Sequence, residues 1–299
     1  MTHRPSAFQP SDVLMRLGLI GDNIARSRAP DLHRLAGELV GLPVSYERLI
    51  PPQLGQTFDD VFESCANGGY RGINITYPYK EVAARKVRAP DPLVREVGAV
   101  NTVIFGPDGA EGHNTDLTGF MAAYREAYGT TPPGTVALVG AGGVGKAIAF
   151  ALLGLGATRL RLTDLDTARA NGLASALSAA SSRMQVSVVA SAEAAVRGAD
   201  GVVNCTPVGM VGHEGTPVPA GALAGLRWAF DAVYTPVDTQ FLRDAAVAGV
   251  RCISGFELFF HQGVQAFRIF TGRDVPPTSL RRLLVASTST QQGKQTTDA

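Results

Sequence analysis

Lys80 closes the segment Asn74-Ile75-Thr76-Tyr77-Pro78-Tyr79-Lys80, and Asp116 closes Asn114-Thr115-Asp116. Both precede the glycine-rich stretch Gly140-Ala141-Gly142-Gly143-Val144-Gly145. An amine and a carboxylate brought together make a proton-transfer pair of the kind general acid–base chemistry uses. A glycine-rich turn between a strand and a helix holds the phosphates of a dinucleotide, which carries hydride. Together they point to redox chemistry on a small polar molecule. Oxidising a secondary alcohol requires the hydroxyl proton to leave as hydride departs from the same carbon. To act as a base near neutrality a lysine must shed its charge from a reference pKa of about 10.4, and a neighbouring carboxylate orients the ammonium. Which of Lys80 and Asp116 takes the proton first stays open, because coupled groups titrate as a pair.

Each of these residues also has a plainer role available. Lysine after a Tyr-Pro-Tyr turn is ordinarily solvated, and Asp116 before Leu117-Thr118-Gly119-Phe120 is placed to cap a helix. It is their shared order that favours chemistry. In the glycine stretch, Gly140 permits a tight turn, Gly142 lets the backbone approach a pyrophosphate, and Gly145 allows close packing of helix on strand, with Gly143 and Val144 between them. Asp164, 24 residues after Gly140, ends the next apolar run and suits the ribose hydroxyls of NAD. Its charge repels the extra phosphate of NADP, so NAD is expected, although Arg169 keeps NADP as the second choice. Asp166 is the better helix cap of the two acids.

The elements that must position these groups follow from apolar periodicity and its punctuation. Leu17–Ile20, Val44–Ile50 and Gly72–Ile75 read as strands. Leu32, Leu35, Ala36 and Leu39 fall at helical spacing between Pro30 and Gly41. Val100–Phe105 and Ala110–His113 flank Gly106-Pro107-Asp108-Gly109, a hairpin signal. After Thr131-Pro132-Pro133-Gly134 the chain reads as strand from Val136, glycine turn, helix over Ala147–Leu155 and strand over Leu160–Thr163. That βαβ pattern implies a parallel sheet, continued by Val186–Val189, Gly201–Asn204 and Trp228–Asp231. Phe256, Phe259, Phe260, Gly263, Phe267 and Phe270 mark a core-facing helical stripe.

The chain has 299 residues, 45% of them hydrophobic, which suits two globular domains. The expectation is an α/β protein with a substrate domain at 14–116, completed by helices at 255–285, and a Rossmann-type doubly wound cofactor domain at 117–254. Residues 1–13 and 286–299 are expected as flexible tails. A formal net charge of +1 argues against nucleic acid or an anionic membrane as partner. Cys65, Cys205 and Cys252 are scattered, and His33, His113, His213 and His261 show no ligand spacing. No metal is expected, and a reducing cytoplasm is. No apolar run has the length of a signal peptide or membrane span.

With these residues in view, the chain resembles the shikimate/quinate dehydrogenase family over about Leu17–Gly272. The resemblance assigns Ser27, in Ser27-Arg28-Ala29-Pro30, to the substrate carboxylate and Thr76 to substrate contact. It assigns Lys80 and Asp116 to catalysis, and Asn101, in Gly98-Ala99-Val100-Asn101-Thr102, to ring hydroxyls. Asn204-Cys205-Thr206-Pro207-Val208-Gly209-Met210 is similar to the family's loop beside the nicotinamide, which brings in Thr206 and Met210. Tyr234 and Gln262 match substrate-facing positions. Asp164-Leu165-Asp166-Thr167 replaces the Asn-Arg-Thr typical of NADP-using members and resembles the NAD-using branch. The implied substrate is a polyhydroxy cyclohexane or cyclohexene carboxylate, handled by a monomer or homodimer.

Three positions depart from the family pattern. Asn23 stands where proline is common. Ala29 replaces the second carboxylate-binding hydroxyl, a charge-assisted hydrogen bond worth about 1.5–3 kcal/mol, so binding weakens unless another group substitutes. The smaller side chain also leaves room for the hydroxyl that quinate has, and shikimate lacks, on the carboxylate-bearing carbon. Glu257 stands where glycine is usual beside the nicotinamide, with consequences for cofactor placement or substrate choice left open. Two other functions are carried alongside: a dehydrogenase of a modified shikimate such as aminoshikimate, and a non-catalytic NAD or metabolite sensor on the same fold.

Overall fold

Apolar runs bounded by glycine or proline become strands of two separate sheets in the computed structural model, which describes residues 14–295, with side chains through Ser287. In the first sheet β1 (Met15–Ile20) lies parallel between β2 (Val44–Leu49) and β3 (Gly72–Ile75). β4 (Thr102–Gly106) and β5 (Gly109–His113) extend it antiparallel from β3. Their hairpin turns through Pro107 and Asp108 and needs Gly109, whose φ is +103°. α1 (Ala29–Leu39) connects β1 to β2. α2 (Pro51–Leu54) and α3 (Phe58–Asn67) connect β2 to β3, and α4 (Lys80–Ala84) and α5 (Pro92–Val97) connect β3 to β4.

α6 (Thr115–Tyr128) leads out of β5 into the second sheet. There β6 (Thr135–Val139), α7 (Gly143–Gly154), β7 (Arg159–Thr163), α8 (Thr167–Ala180), β8 (Gln185–Val188), α9 (Ala192–Val196) and β9 (Gly201–Asn204) follow in turn. β10 (Trp228–Asp231), α10 (Gln240–Val247) and β11 (Arg251–Ile253) complete it. All six strands are parallel, in the order β11-β10-β9-β6-β7-β8. This is the doubly wound Rossmann order, and its direction reverses between β6 and β9, where such sheets bind ligands. β9 and β10 are buried at every position, as strands covered on both faces must be.

α11 (Gly255–Thr271) and α12 (Pro277–Gln295) return the chain to the first sheet. The expected phenylalanine stripe is there: Phe259, Phe260, Phe267 and Phe270 are buried with Leu17, Leu19 and Leu32. α6 serves both sheets. Leu117, Phe120 and Tyr124 join the core of the second, while Gly119 faces α11 so closely that a Cβ there would lie 2.8 Å from the Gln262 nitrogen. At the C-terminal end α12 runs to Gln295, into the stretch expected as a tail, because no proline breaks it and Ser, Thr and Gln are tolerated in helices. The expected tail at residues 1–13, and residues 296–299, lie outside the described residues. Among the described residues no helix is long and apolar enough to cross a membrane.

Candidate active site

Lys80 and Asp116 meet at the junction of the two sheets. β3 ends at Ile75, the chain turns through Thr76 to Tyr79, and α4 begins at Lys80. The turn is tied down by the Tyr79 hydroxyl, which donates to Asp22 Oδ1 at 2.6 Å, and by the Tyr79 N–H, which donates to the Thr76 carbonyl. On the other side Asn114, not Asp116, caps α6 by accepting the Leu117 N–H at 3.1 Å. Asp116 is thereby released from capping and points its carboxylate at Lys80. Lys80 Nζ donates to Asp116 Oδ2 at 2.6 Å, with the two residues 7% and 6% exposed. The contact is shielded from water, and Asp116 is the one side-chain partner of the Lys80 amine among the described residues.

The polar residues around the pair are wired to one another. Asn101 is buried, and its Oδ1 accepts from the Thr115 N–H at 2.7 Å and from the hydroxyls of Thr102 and Thr115 at 3.1 Å. Its carbonyl side of the amide is thus fully engaged, which fixes the direction of its Nδ2 donors. The Thr115 hydroxyl also reaches Gln262 Oε1 at 3.3 Å, and Gln262 Nε2 donates to the Phe259 carbonyl. Thr76, half-buried at the end of β3, abuts Gly21, where a Cβ would come within 2.4 Å of its methyl group. Behind them Asn74 accepts from the Tyr46 hydroxyl at 2.8 Å and donates to the Asn101 carbonyl and the Thr102 hydroxyl. Ser27 and Tyr234 form the far end. Burial pushes the Tyr234 phenol up, opposed by a hydrogen bond with the Ser27 hydroxyl and by the Arg28 and Arg48 guanidiniums.

At the reversal point of the second sheet the glycine turn has the shape of a dinucleotide cradle. Gly140 has φ +97°, and a Cβ there would lie 2.8 Å from the Cys205 carbonyl carbon. A Cβ at Gly145 would meet the Gly140 carbonyl oxygen at 2.1 Å, so only glycine lets α7 start so near β6. Gly142, by contrast, faces open space, and the half-buried Val144 packs on the second-sheet core. A Cβ at Gly143 would lie 3.5 Å from Lys80 Cδ, which puts the first turn of α7 beside the amine. Asp164 steadies the turn, Oδ2 accepting the Ala141 N–H at 2.6 Å and Oδ1 the Asp166 N–H at 2.8 Å. Asp166 caps α8 by accepting the Arg169 N–H, and the Arg169 side chain is exposed. Thr206 donates to Asn204 Oδ1 at 2.7 Å, and Met210 sits half-buried in the same loop. A backbone open at Gly142, a helix N-terminus and a carboxylate at the tip of β7 fit a dinucleotide.

Known proteins resemble this chain in sequence and fold. Residues 19–103 match the shikimate dehydrogenase substrate binding domain. The chain is 40% identical to a quinate/shikimate dehydrogenase (NAD(+)) of Corynebacterium efficiens over 86% of this chain and 92% of that protein. It belongs to the shikimate/quinate dehydrogenase family. A shikimate dehydrogenase (NADP(+)) of Pseudarthrobacter chlorophenolicus is 37% identical over 89% of this chain and 92% of its own length. Among solved structures, quinate dehydrogenase from Corynebacterium glutamicum in complex with NAD aligns with a TM-score of 0.84 at 35% identity, covering 91% of this chain and 99% of that one.

Other features of this family member surface only in three dimensions. Glu257, in the first turn of α11, accepts two hydrogen bonds from Arg281 of α12 at 2.8 and 2.7 Å, so its carboxylate is engaged with α12. Glu126, Glu257 and His261 bring ligand atoms within 4.8 Å of one another, a grouping that sequence spacing does not show. Arg281 stands among them and pairs with both carboxylates, which supplies the cation such a cluster calls for. Asp231, fully buried, accepts from Asn204 Nδ2, the Val233 N–H and the Thr239 hydroxyl, and so holds the Asn204–Met210 loop against β10. It opens the segment Asp231-Ala232-Val233-Tyr234-Thr235-Pro236, which carries Tyr234.

Proposed function

We propose that the chain is an NAD-dependent dehydrogenase that reversibly oxidises a secondary ring hydroxyl of quinate or shikimate to the 3-dehydro ketone. The observation that carries it is the buried Lys80–Asp116 contact of 2.6 Å beside the first turn of α7. In this scheme residues 14–116 with 255–285 hold the acid and 117–254 hold the cofactor. Ser27 and Tyr234 take the carboxylate, while Thr76, Asn101 and Gln262 fix the ring hydroxyls. The hydroxyl proton passes to the Lys80–Asp116 pair, in which Asp116 Oδ2 orients Nζ and balances its charge. When bound, NAD supplies the hydride acceptor. Gly140, Gly142, Gly143, Val144 and Gly145 cradle its pyrophosphate, and Thr206 and Met210 flank its nicotinamide. Asp164 favours NAD over NADP by receiving ribose hydroxyls, its carboxylate already oriented by Ala141 and Asp166. Three free cysteines, Cys65, Cys205 and Cys252, suit a reducing cytoplasm.

Initial rates of NADH or NADPH formation, with quinate and shikimate each offered NAD and NADP, test the proposal. NAD-linked turnover of either acid is expected. NAD binding without turnover of quinate, shikimate or an aminoshikimate would leave a sensor as the better account.

A further inference from the structure

Ala29 leaves the carboxylate end of the substrate site one hydroxyl short, and the structure places a cation there. Arg48, on β2, reaches across to the Ser27 carbonyl, donating from Nε at 3.2 Å and from Nη2 at 2.5 Å. A guanidinium has five N–H donors, so this anchoring leaves others unspent. Ser27 and Tyr234, assigned above to the substrate carboxylate, lie beside it. The Tyr234 phenol feels the positive charge of Arg48 and Arg28 together with the Ser27 hydroxyl. An open cavity of about 950 Å³ adjoins Ser27 and Arg48, lined also by Arg26, Arg28, Arg34 and Tyr46. Its two carboxylates are already partnered, Asp31 with Arg34 at 2.7 Å and Glu47 with Arg16 at 3.3 Å. Arg28 is held elsewhere, donating to the Leu284 carbonyl and the Ser287 hydroxyl of α12. Arg48 is therefore a cation fixed at Ser27 that, among the described residues, makes no ion pair with an acid.

We propose that Arg48 takes over the role of the hydroxyl missing at Ala29, so that the substrate carboxylate is bound by the Ser27 and Tyr234 hydroxyls and one guanidinium. The inference rests on the dehydrogenase function proposed above. It makes recognition of the acid depend on a formal positive charge, where two hydroxyls would supply neutral donors alone. It also explains how the space opened by Ala29 stays free for a substituent on the carboxylate-bearing carbon, since Arg48 approaches from β2 and not from position 29.

The test is calorimetric binding of quinate and of its uncharged carboxamide to the full chain, in the wild type and in Arg48→Gln, Arg48→Lys and the double variant Arg48→Gln/Ala29→Ser. Arg48→Gln is expected to weaken quinate binding about tenfold while changing the carboxamide by less than about twofold. Arg48→Lys keeps the charge and retains part of the preference for the acid. Ala29→Ser in the Arg48→Gln background restores part of the lost affinity, which a merely structural arginine does not allow. Equal weakening of acid and carboxamide, or unchanged affinity for both, overturns the proposal, as does a wild type that binds neither. Turnover measured on the same samples keeps the two claims apart. Selective, Arg48-dependent binding without turnover rejects the dehydrogenase function alone, and turnover with Arg48-independent binding rejects the anchor alone.

Discussion

The Lys80–Asp116 pair yields the sharpest prediction, because its chemistry and its energetics can be separated. At 2.6 Å, with an effective dielectric of about 20, the two charges attract by about 6 kcal/mol. Desolvating them costs several kcal/mol per ion, so the pair as a whole contributes little net stability. Removing one partner is another matter, because the survivor keeps its desolvation cost without its counter-charge, a loss of about 3–5 kcal/mol. Asp116→Asn and Lys80→Met should each show that destabilisation in thermal or denaturant unfolding. The double variant should recover much of it.

Turnover should follow a different pattern. Loss of a positioned acid–base group lowers kcat by about 10²–10⁴-fold. If the two residues act as one proton-transfer unit, the double variant is no slower than the worse single one, since groups that work together are not additive. The assay is NADH formation at saturating NAD and acid, with NAD binding checked separately to confirm an intact cofactor half. Two results refute the mechanism: Asp116→Asn within tenfold of wild-type kcat, or single-variant losses that multiply in the double variant.

Three further predictions use the same structure. Asp164→Ala should raise KM for NAD about tenfold and lower that for NADP, read as a change in the ratio of the two KM values, because it removes the ribose acceptor and its negative charge. Gly119→Ala should destabilise the protein by about 1–3 kcal/mol and raise KM for the acid, because the new Cβ would sit 2.8 Å from the backbone of Gln262. Burial lowers the His33 pKa from 6.5 to about 3, so the native state binds fewer protons than the unfolded one between those values. Stability should therefore fall as pH drops from about 6.5 towards 3, and His33→Phe should flatten that limb of an unfolding-against-pH curve, whereas an unchanged slope would assign the acid sensitivity to other groups.

Local pattern made most strands, the β4–β5 hairpin and the glycine turn legible, because each is set by apolar spacing and by residues with special φ. The pairing of Lys80 with Asp116 was legible from the order of motifs, although neither residue alone favours it. α3 was missed despite a readable signal: Thr57 and Asp60 form a capping box ahead of Phe58, Val61, Phe62 and Cys65, which are buried at helical spacing. The extent of α12 is not legible from composition, since a polar sequence low in complexity can still continue a helix already started on the core. Other features had no local signal. Glu257 was open to a role beside the nicotinamide until its partner on α12 was seen. Arg48 lies in a strand whose sequence says nothing of Ser27, and only the fold brings β2 to the N-terminus of α1.

The placement of Lys80 also couples the two halves of the site. It is the first residue of α4, and the next residue, Glu81, pairs with Lys146 of α7 at 2.9 Å. The side chain of Lys80 runs past Gly143, at the start of that same helix. The element that presents the amine is thus braced against the element that presents phosphate-binding N–H groups. Asp116 approaches from α6, which packs on the second-sheet core through Phe120 and on α11 through Gly119. A rigid displacement of one sheet relative to the other would therefore move Lys80, Asp116 and the glycine turn out of register together. Proton transfer and cofactor seating depend on one junction, and the polar wiring through Asn74, Asn101 and Thr115 extends that junction to the residues assigned to the substrate.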